Sequence, residues 1–208
     1  MVTIVSRWGE HGARPTPSAN NAELFAGLVA RARIDVDNTP AQAWALVTAV
    51  TRVGEFSPEC VGARWIGSYD GPTVGARFEG TNRKAEGADE LIWVRPCTVV
   101  VADAGRAFGY VVGDRYDGSP ASHWLYDFRQ TGPQRCRIEL TFRHLPDGQS
   151  ALRHRADADP DHAADIVAAR LVELEDGMRT SLARMKTALE SQAREGGARL
   201  RPPLASRR

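Results

Sequence analysis

The sequence predicts an α+β fold in which seven β-strands precede one long C-terminal helix. Apolar and polar residues alternate in seven segments between residues 24 and 145, which is the pattern of half-buried strands. Apolar residues recur at steps of three or four between residues 167 and 189, which is the pattern of an amphipathic helix. A helix of this kind needs a sheet against which its apolar face can be buried.

The first strand is predicted over Leu24 to Val36, because apolar residues alternate there with charged ones. Thr39 and Pro40 then provide a helix cap and a proline at the first helical position. The sequence therefore predicts two short helices that extend to about Ser57.

Six further strands are predicted, separated by Gly, Pro, Asp or Asn clusters such as Asp70-Gly71-Pro72. These strands are expected at 61–69, 74–83, 91–102, 106–112, 122–129 and 135–145. On the last two of them, the inward faces are expected to be aromatic or apolar, with charged residues on the outer face of the last strand. The expected inward residues are Trp124, Tyr126 and Phe128, followed by Cys136, Ile138, Leu140, Phe142 and His144.

The final helix is predicted to open at Asp159-Pro160 and to close at Gly196-Gly197. Its roughly 35 residues correspond to about 50 Å, long enough to cross a small sheet. Gly177 in its interior lowers helix propensity by roughly 1 kcal/mol relative to alanine. Gly177 is either a site of bending or close approach, or a tolerated surface glycine.

Length and composition predict one domain over residues 23–195 with flexible tails at 1–22 and 196–208, the second of them basic. With 27 basic and 26 acidic residues, the net charge of +1 argues against nucleic acid as a partner. The absence of an apolar run of ~18 residues argues against membrane insertion. Because Ser6 and Arg7 interrupt the apolar N-terminus before a secretory signal can form, a cytoplasmic protein is expected. We expect it to be a monomer or a homodimer.

A ligand cavity is suggested where ionic and amide groups stand among alternating apolar residues, as do Glu59, Arg64 and Asn82. The inward face of the fourth predicted strand, at 91–102, is not decided by the pattern, because both of its faces are apolar. Arg95 therefore points either inward or outward. Cys60, Cys97 and Cys136 are expected to be buried thiols rather than a disulfide framework or a zinc site.

The order of elements resembles the helix-grip fold of the START and birch-pollen-allergen superfamily, known as SRPBCC. Local sequence from Ile34 to Glu190 is similar to its actinobacterial polyketide cyclase/dehydrase-like group. The segments that carry this resemblance are Phe56-Ser57-Pro58-Glu59-Cys60, Arg64-Trp65, Gly75-Ala76-Arg77-Phe78, Gly80-Thr81-Asn82-Arg83, Trp93, Pro96-Cys97, Gly105-Arg106-Ala107-Phe108 and Trp124-Leu125-Tyr126.

The resemblance implies a seven-stranded antiparallel sheet curled around the long helix, with two short helices after the first strand. A cavity between sheet and helix would then bind a hydrophobic, oxygenated, polyketide-like molecule. The candidate substrate-binding residues are Trp65, Phe78, Asn82, Trp93, Tyr110, Trp124, Tyr126, Phe142 and Met178.

The chemistry implied by the resemblance is cyclisation or dehydration by proton transfer, without a cofactor or a metal. The candidate catalytic residues are Glu59, Arg95, His123 and His144. Each has a structural alternative: Glu59 could pair with Arg64 or Arg83, Arg95 could face outward, and both histidines could be hydrogen-bonded strand-end residues. The alternative function is a non-catalytic lipid or polyketide carrier or sensor. An interaction module such as a toxin of the same superfamily is a third hypothesis.

One departure from the family pattern is the long segment from Pro146 to His162, which is rich in Asp, Arg and His. It is interpreted as a lid over the cavity mouth. The sequence places His154 and His162 near Asp157, Asp159 and Asp161, but without metal-site spacing, so solvated charge and no metal are expected here.

Overall fold

The computed structural model describes residues 2–4, 21–86, 89–114 and 118–199. The strands in these ranges are β1 (Val2–Ile4), β2 (Val29–Val36), β3 (Cys60–Trp65), β4 (Arg77–Glu86), β5 (Asp89–Asp103), β6 (Ala107–Gly113), β7 (Pro120–Gly132) and β8 (Arg135–His144). The helices are α1 (Ala22–Ala26), α2 (Pro40–Thr48), α3 (Val53–Phe56), α4 (Ala151–Ala158) and α5 (Ala163–Arg199). None of these helices is both long and apolar enough to span a membrane.

Seven of the described strands form an antiparallel sheet in the order β2-β8-β7-β6-β5-β4-β3, curled around α5. The predicted α+β helix-grip fold is therefore confirmed. An eighth strand, β1, pairs in parallel with β5 beside residues 90–92. The residues of β1 fall in the predicted N-terminal tail. Residues 5–20 and 200–208 of the two predicted tails lie outside the described residues.

The first long strand begins later than the alternating pattern predicted. Residues 22–26 form α1, which Gly27 caps, and β2 starts only at Val29. Leu24 and Leu28 are four residues apart, a spacing that fits a helical turn as well as an alternating strand. Tertiary packing decides between the two, because Phe25 is fully buried with its ring 4.6 Å from the ring of His144.

The predicted start of α2 is confirmed in detail. Thr39 caps the helix, since its hydroxyl accepts a hydrogen bond from the backbone of Gln42 and the Gln42 side chain accepts one from the backbone of Thr39. Pro40 occupies the first helical position, where its missing N–H costs nothing. The short second helix, α3, ends at Phe56, as expected from the sequence.

The predicted inward faces of the last two strands are the buried ones. On β8, the five alternating residues from Cys136 to His144 are all buried, and Tyr126 and Phe128 are buried on β7. Antiparallel pairing with β2 sets Ile34 opposite Ile138, so the apolar faces of the two strands lie on the same side. This side, which we call the concave face, packs toward α5.

Helix α5 buries one apolar stripe and runs for 37 residues, two residues beyond its predicted closing glycines. Of the strands, β2 packs most closely against it. The buried residues of the stripe are Val167, Leu174, Met178, Leu182, Met185 and Leu189.

The 146–162 segment contains a folded helix, α4, rather than solvated charge throughout. Arg153 donates to the carboxylate of Asp157 at 3.1 Å, and both side chains are almost fully buried. His154 is also buried, whereas His162 and Asp159 form an exposed pair. Solvated charge is therefore wrong for Asp157 and His154. Asp157 is buried in contacts with Arg153 and with Asn21, which donates to it, and His154 is buried on α4, which packs against α5.

Candidate functional site

A chain of aromatic side chains lines the concave face from β3 to β6. Trp65 and Phe78 have ring centroids 5.4 Å apart, Phe78 and Tyr110 are 5.2 Å apart, and Tyr110 and Phe108 are 5.8 Å apart. The first two pairs meet edge to face, an arrangement that aromatic quadrupoles favour. Strand alternation thus brings residues from three strands onto one continuous aromatic surface.

A second aromatic contact lies on β7 and β8, where the rings of Trp124 and Phe142 are 5.0 Å apart. Tyr126 follows two residues along the same face of β7 and is buried. Met178 on α5 is also buried in the core that these residues share. The structure therefore brings most of the predicted substrate-binding residues onto the surfaces between the sheet and α5.

Neutral hydroxyl and thiol groups accompany the aromatic surface. Burial raises the pKa of Tyr110 and Tyr126 well above the ordinary phenol value. Burial likewise raises the pKa of Cys97, and that of Cys60 to about 11. These groups remain protonated at neutral pH, so they offer the interior weak acids and hydrogen-bond donors rather than charges.

Gly80 makes room for one of these thiols. A β-carbon on Gly80 would lie 3.3 Å from the sulfur of Cys60, which indicates that the Cys60 side chain crosses the concave face at that point. All three cysteines are free, and Cys97 and Cys136 are buried as predicted, whereas Cys60 is only partly buried.

Arg95 lies on the concave side of β5. It shares its strand face with Cys97 and Val99, which are 5% and 1% exposed, while Pro96 lies on the opposite face. Pairing with β4 sets Arg95 opposite Gly80. Of the two orientations that the sequence left open, strand geometry thus supports the inward one.

Asn82 and Trp93 form the next cross-strand pair on the same face, directly opposite each other on β4 and β5. Both side chains are half-buried. An amide, an indole and the nearby guanidinium therefore follow one another along the concave side of this strand pair. Asn82 is also opposite Cys60 in the pairing of β3 with β4.

Glu59 pairs with a residue that the sequence analysis did not consider. Its carboxylate accepts two hydrogen bonds from Arg170 of α5, at 2.7 and 2.9 Å. Of the two expected partners, Arg64 binds Glu79 and Arg83 binds Glu90. The expected pairing was wrong because Arg64 and Arg83 lie on the sheet face opposite to Asn82, whereas Arg170 reaches Glu59 from the helix.

His144 is buried and has hydrogen bonds at both ring nitrogens. Nδ1 lies 2.7 Å from the carbonyl oxygen of Leu145 and must donate to it, so Nε2 accepts from the hydroxyl of Ser150, also at 2.7 Å. Burial is the main reason that the pKa of His144 falls to about 4, and nearby Arg153 lowers it further. This environment holds a neutral imidazole and joins the end of β8 to the start of α4.

His123 lies on the opposite side of the sheet from the aromatic surface. Its strand neighbours Ser122 and Trp124 alternate with it, and its ring nitrogen approaches the convex side of Gly109. Desolvation lowers the pKa of His123, with a smaller contribution from Arg143. The structure therefore does not bring His123 together with Arg95 and the tyrosines.

Sequence reasoning missed Lys84, Arg170 and Glu173. Lys84 donates to both carboxylate oxygens of Glu173 at 3.0 and 3.1 Å, and Arg170 donates to Glu173 at 3.0 Å. A signal for Lys84 was present, since it follows Asn82 by two positions on the same strand face. No such signal marked the two α5 residues, which belong to a helix with many exposed charges. In the described part of the chain, no cluster of three or more His, Cys, Asp or Glu could hold a metal ion.

Comparisons with known proteins agree with this architecture. The family described as "Polyketide cyclase / dehydrase and lipid transport" matches residues 28–190. The structure is similar to a Polyketide_cyc-like protein from Corynebacterium glutamicum, with 27% identity and a TM-score of 0.57, covering 81% of this chain and 95% of that one. No curated protein matched.

Two more distant structures share the fold. The Zhui aromatase/cyclase from a Streptomyces species is 13% identical with a TM-score of 0.56, covering 82% of this chain and 98% of that one. A protein from Thermus thermophilus is 10% identical with a TM-score of 0.56, covering 79% of this chain and 99% of that one.

Proposed function

Because the chain belongs to the polyketide cyclase/dehydrase and lipid transport family, we propose that it binds a hydrophobic, oxygenated small molecule of polyketide type. The ligand occupies the interior between the concave face and α5, and the protein promotes its cyclisation or dehydration. The observation that carries this proposal is the continuous aromatic surface flanked by neutral donors and one guanidinium. Flat, oxygenated molecules require this combination of apolar contact and a few hydrogen-bond donors.

Tyr110 is placed to meet such a ligand. Its side chain is half-buried on the concave face, and burial raises its pKa well above the ordinary phenol value. The phenol is therefore a protonated hydrogen-bond donor at neutral pH, and the proposed ligand binds against it.

In the proposed reaction, the protein folds the ligand and stabilises charge that develops on a carbonyl oxygen. Arg95 and Asn82 donate hydrogen bonds to that oxygen as the neighbouring carbon gives its proton to a water molecule. In cyclisation the proton passes on to the oxygen of the attacked carbonyl group, and in dehydration it leaves with the departing hydroxyl group as water. Tyr110 or Tyr126 donates to a second oxygen, which a phenol with a raised pKa can do at neutral pH. Alignment in a shaped, water-poor cavity supplies much of the acceleration, and proton transfer typically adds roughly 10²- to 10⁴-fold.

A carrier function is the second candidate, and one observation favours it. Burial moves the pKa of Cys60, Tyr110 and Tyr126 away from neutrality, which makes each of them a poor general base. A protein that only holds its ligand has no need of such a base. The two functions therefore differ in whether turnover occurs, while both require the same interior.

Native mass spectrometry of the purified protein, followed by extraction and identification of the bound molecule, is the first test. A bound polyketide or oxygenated ring system supports the cyclase or dehydratase, and a bound fatty acid or phospholipid supports the carrier. A protein that carries no ligand and binds no hydrophobic probe would contradict both functions.

Catalysis is then tested with Arg95→Met on the ligand so identified. We expect binding to weaken less than tenfold while turnover falls by at least 100-fold, a loss typical of removing one charge-stabilising donor. Arg77→Met is the matched control, because Arg77 is exposed on the opposite face of β4 and should leave both values unchanged. Equal turnover in all three proteins would exclude Arg95 from the reaction.

A further inference from the structure

We propose that the ligand reaches the interior past Arg170, and that the ion pair of Arg170 with Glu59 is the gate. This inference rests on the proposed interior binding site. The gate belongs to a chain of four alternating charges that we call the ionic bridge: Glu59, Arg170, Glu173 and Lys84. The ionic bridge runs from the segment before β3, over α5, to the end of β4.

The contacts of the ionic bridge are short and paired. Arg170 donates to both oxygens of Glu59 through one guanidinium nitrogen and to Glu173 through the other, at 2.7 to 3.0 Å. Lys84 then donates to both oxygens of Glu173 at 3.0 and 3.1 Å. The four side chains thus tie the helix to the β3 and β4 side of the sheet.

The ionic bridge lies immediately outside the concave-face residues. Glu59 directly precedes Cys60, and Lys84 follows Asn82 by two positions on the same face of β4. Cys60 and Asn82 are opposite each other in the pairing of β3 with β4. A molecule that enters between α5 and this part of the sheet must therefore pass the ionic bridge before it meets them.

A cleft adjoins the ionic bridge. It has a volume of about 280 Å³ and shares Arg170 and Glu173 with the bridge. The rest of its lining is mixed, with Ile166 and Ala169 apolar and Arg155 and Asp165 charged. Such a lining suits a molecule that carries both apolar and oxygen-bearing groups, as the proposed ligand does.

The gate opens by motion of side chains alone. The side chains of Arg170 and Glu59 are 24% and 34% exposed, so water can solvate each charge when the pair separates. The backbone around Glu59 is fixed, because the hydroxyl of Ser57 accepts hydrogen bonds from the amides of Glu59 and Cys60. Rotation of Arg170 away from Glu59 therefore opens the passage without moving the loop.

The test uses stopped-flow binding of N-phenyl-1-naphthylamine, a neutral dye that fluoresces in apolar surroundings. We expect Glu59→Gln to raise its association and dissociation rates about two- to five-fold, with the dissociation constant unchanged within two-fold. Arg170→Met, which retains the apolar stem of the side chain, should have the same effect. Glu55→Gln is the matched control, since Glu55 pairs with Arg52 three residues earlier and should keep wild-type rates.

Ionic strength gives a test that needs no variant. Added salt should accelerate dye exchange in the wild-type protein, because the pair is open to screening, and should have little effect on Glu59→Gln. Wild-type rates in Glu59→Gln and Arg170→Met, or salt-independent exchange in the wild type, would overturn the gate while leaving the binding site intact. Failure of the wild-type protein to bind the dye at all would overturn the binding site, and the gate with it.

Discussion

Gly54 of α3 faces the backbone carbonyl of Val61 on β3 with no space for a side chain between them. A β-carbon at Gly54 would collide with that carbonyl oxygen and its carbon. The contact closes α3 over the outer edge of β3, which is the last strand of the sheet. A helix that covers an edge strand also protects it from pairing with another chain.

Replacement of Gly54 by alanine should destabilise the protein. In a helix interior, alanine is more favourable than glycine by roughly 1 kcal/mol. Its methyl group would, however, collide with backbone atoms of Val61, which cannot move aside as a flexible side chain can. We expect the free energy of unfolding to fall by about 1–3 kcal/mol, the usual cost of overpacking. Urea denaturation measures it, with Gly27→Ala as the control, because nothing lies within 4 Å of a β-carbon at Gly27.

Replacement of Gly177 by alanine should have the opposite effect. A β-carbon there would lie 3.6 Å from the ring of Pro58, which is an ordinary contact. The gain in helix propensity should therefore raise the free energy of unfolding by up to about 1 kcal/mol. A lower melting temperature in Gly177→Ala would show instead that α5 needs glycine for its approach to the segment before β3.

Removal of one partner from the buried ion pair of Arg153 and Asp157 should destabilise the protein strongly. Arg153→Met leaves a buried carboxylate without its cation, and we expect a loss of about 3–5 kcal/mol in unfolding free energy. The double variant Arg153→Met with Asp157→Leu should recover most of this loss, because an apolar pair needs no compensation.

Arg179→Met provides the comparison for that experiment. Arg179 forms two pairs along α5, but its side chain is 58% exposed. We expect a change within about 0.5 kcal/mol. A similar small change for Arg153→Met would mean that α4 is not held by its buried charges.

His144 should make stability depend on pH between 6.5 and 4. Its pKa falls from 6.5 to about 4 in the folded protein, so the unfolded chain binds the proton more tightly within this window. The contribution of His144 is fully present above pH 6.5 and is lost as the pH falls toward 4, by up to about 3 kcal/mol. Chemical denaturation at several pH values measures this slope.

The His144→Gln variant supplies the control, since it keeps hydrogen-bonding atoms but does not titrate. Its unfolding free energy should change less over the same pH range than that of the wild type. An NMR titration of the wild-type imidazole is the direct check, and protonation of folded His144 near pH 6.5 would contradict the prediction.

Local sequence patterns were sufficient to predict most of the fold. Strand alternation indicated the buried face of β8, and the Thr39 and Pro40 pair indicated the start of α2. Both signals concern neighbours within a few residues, where backbone geometry fixes which side chains share a face. The same reasoning failed at Leu24, where a spacing of four residues fits a helix and a strand equally.

The candidate site was predictable only in part. The resemblance to the family implied Phe78 and Tyr110 as binding residues, but alternation left the direction of Arg95 open because both faces of β5 are apolar. The partner of Glu59 could not be predicted, since Arg170 lies 111 residues further along the chain. Only the packing of α5 against the sheet brings those two side chains together.

The amino-acid sequence by itself determined the order of the seven antiparallel strands with α2, α3 and α5, the buried faces of β7, β8 and α5, and the family, because these follow from periodicities and motifs within single elements. Tertiary structure alone decided that both ring nitrogens of His144 are hydrogen-bonded, that Asp157 is buried, and that Glu59 joins α5 through Arg170. Hydrogen bonds and ion pairs depend on distances of about 3 Å between side chains. Such distances arise between elements, where no local pattern specifies which charge will meet which.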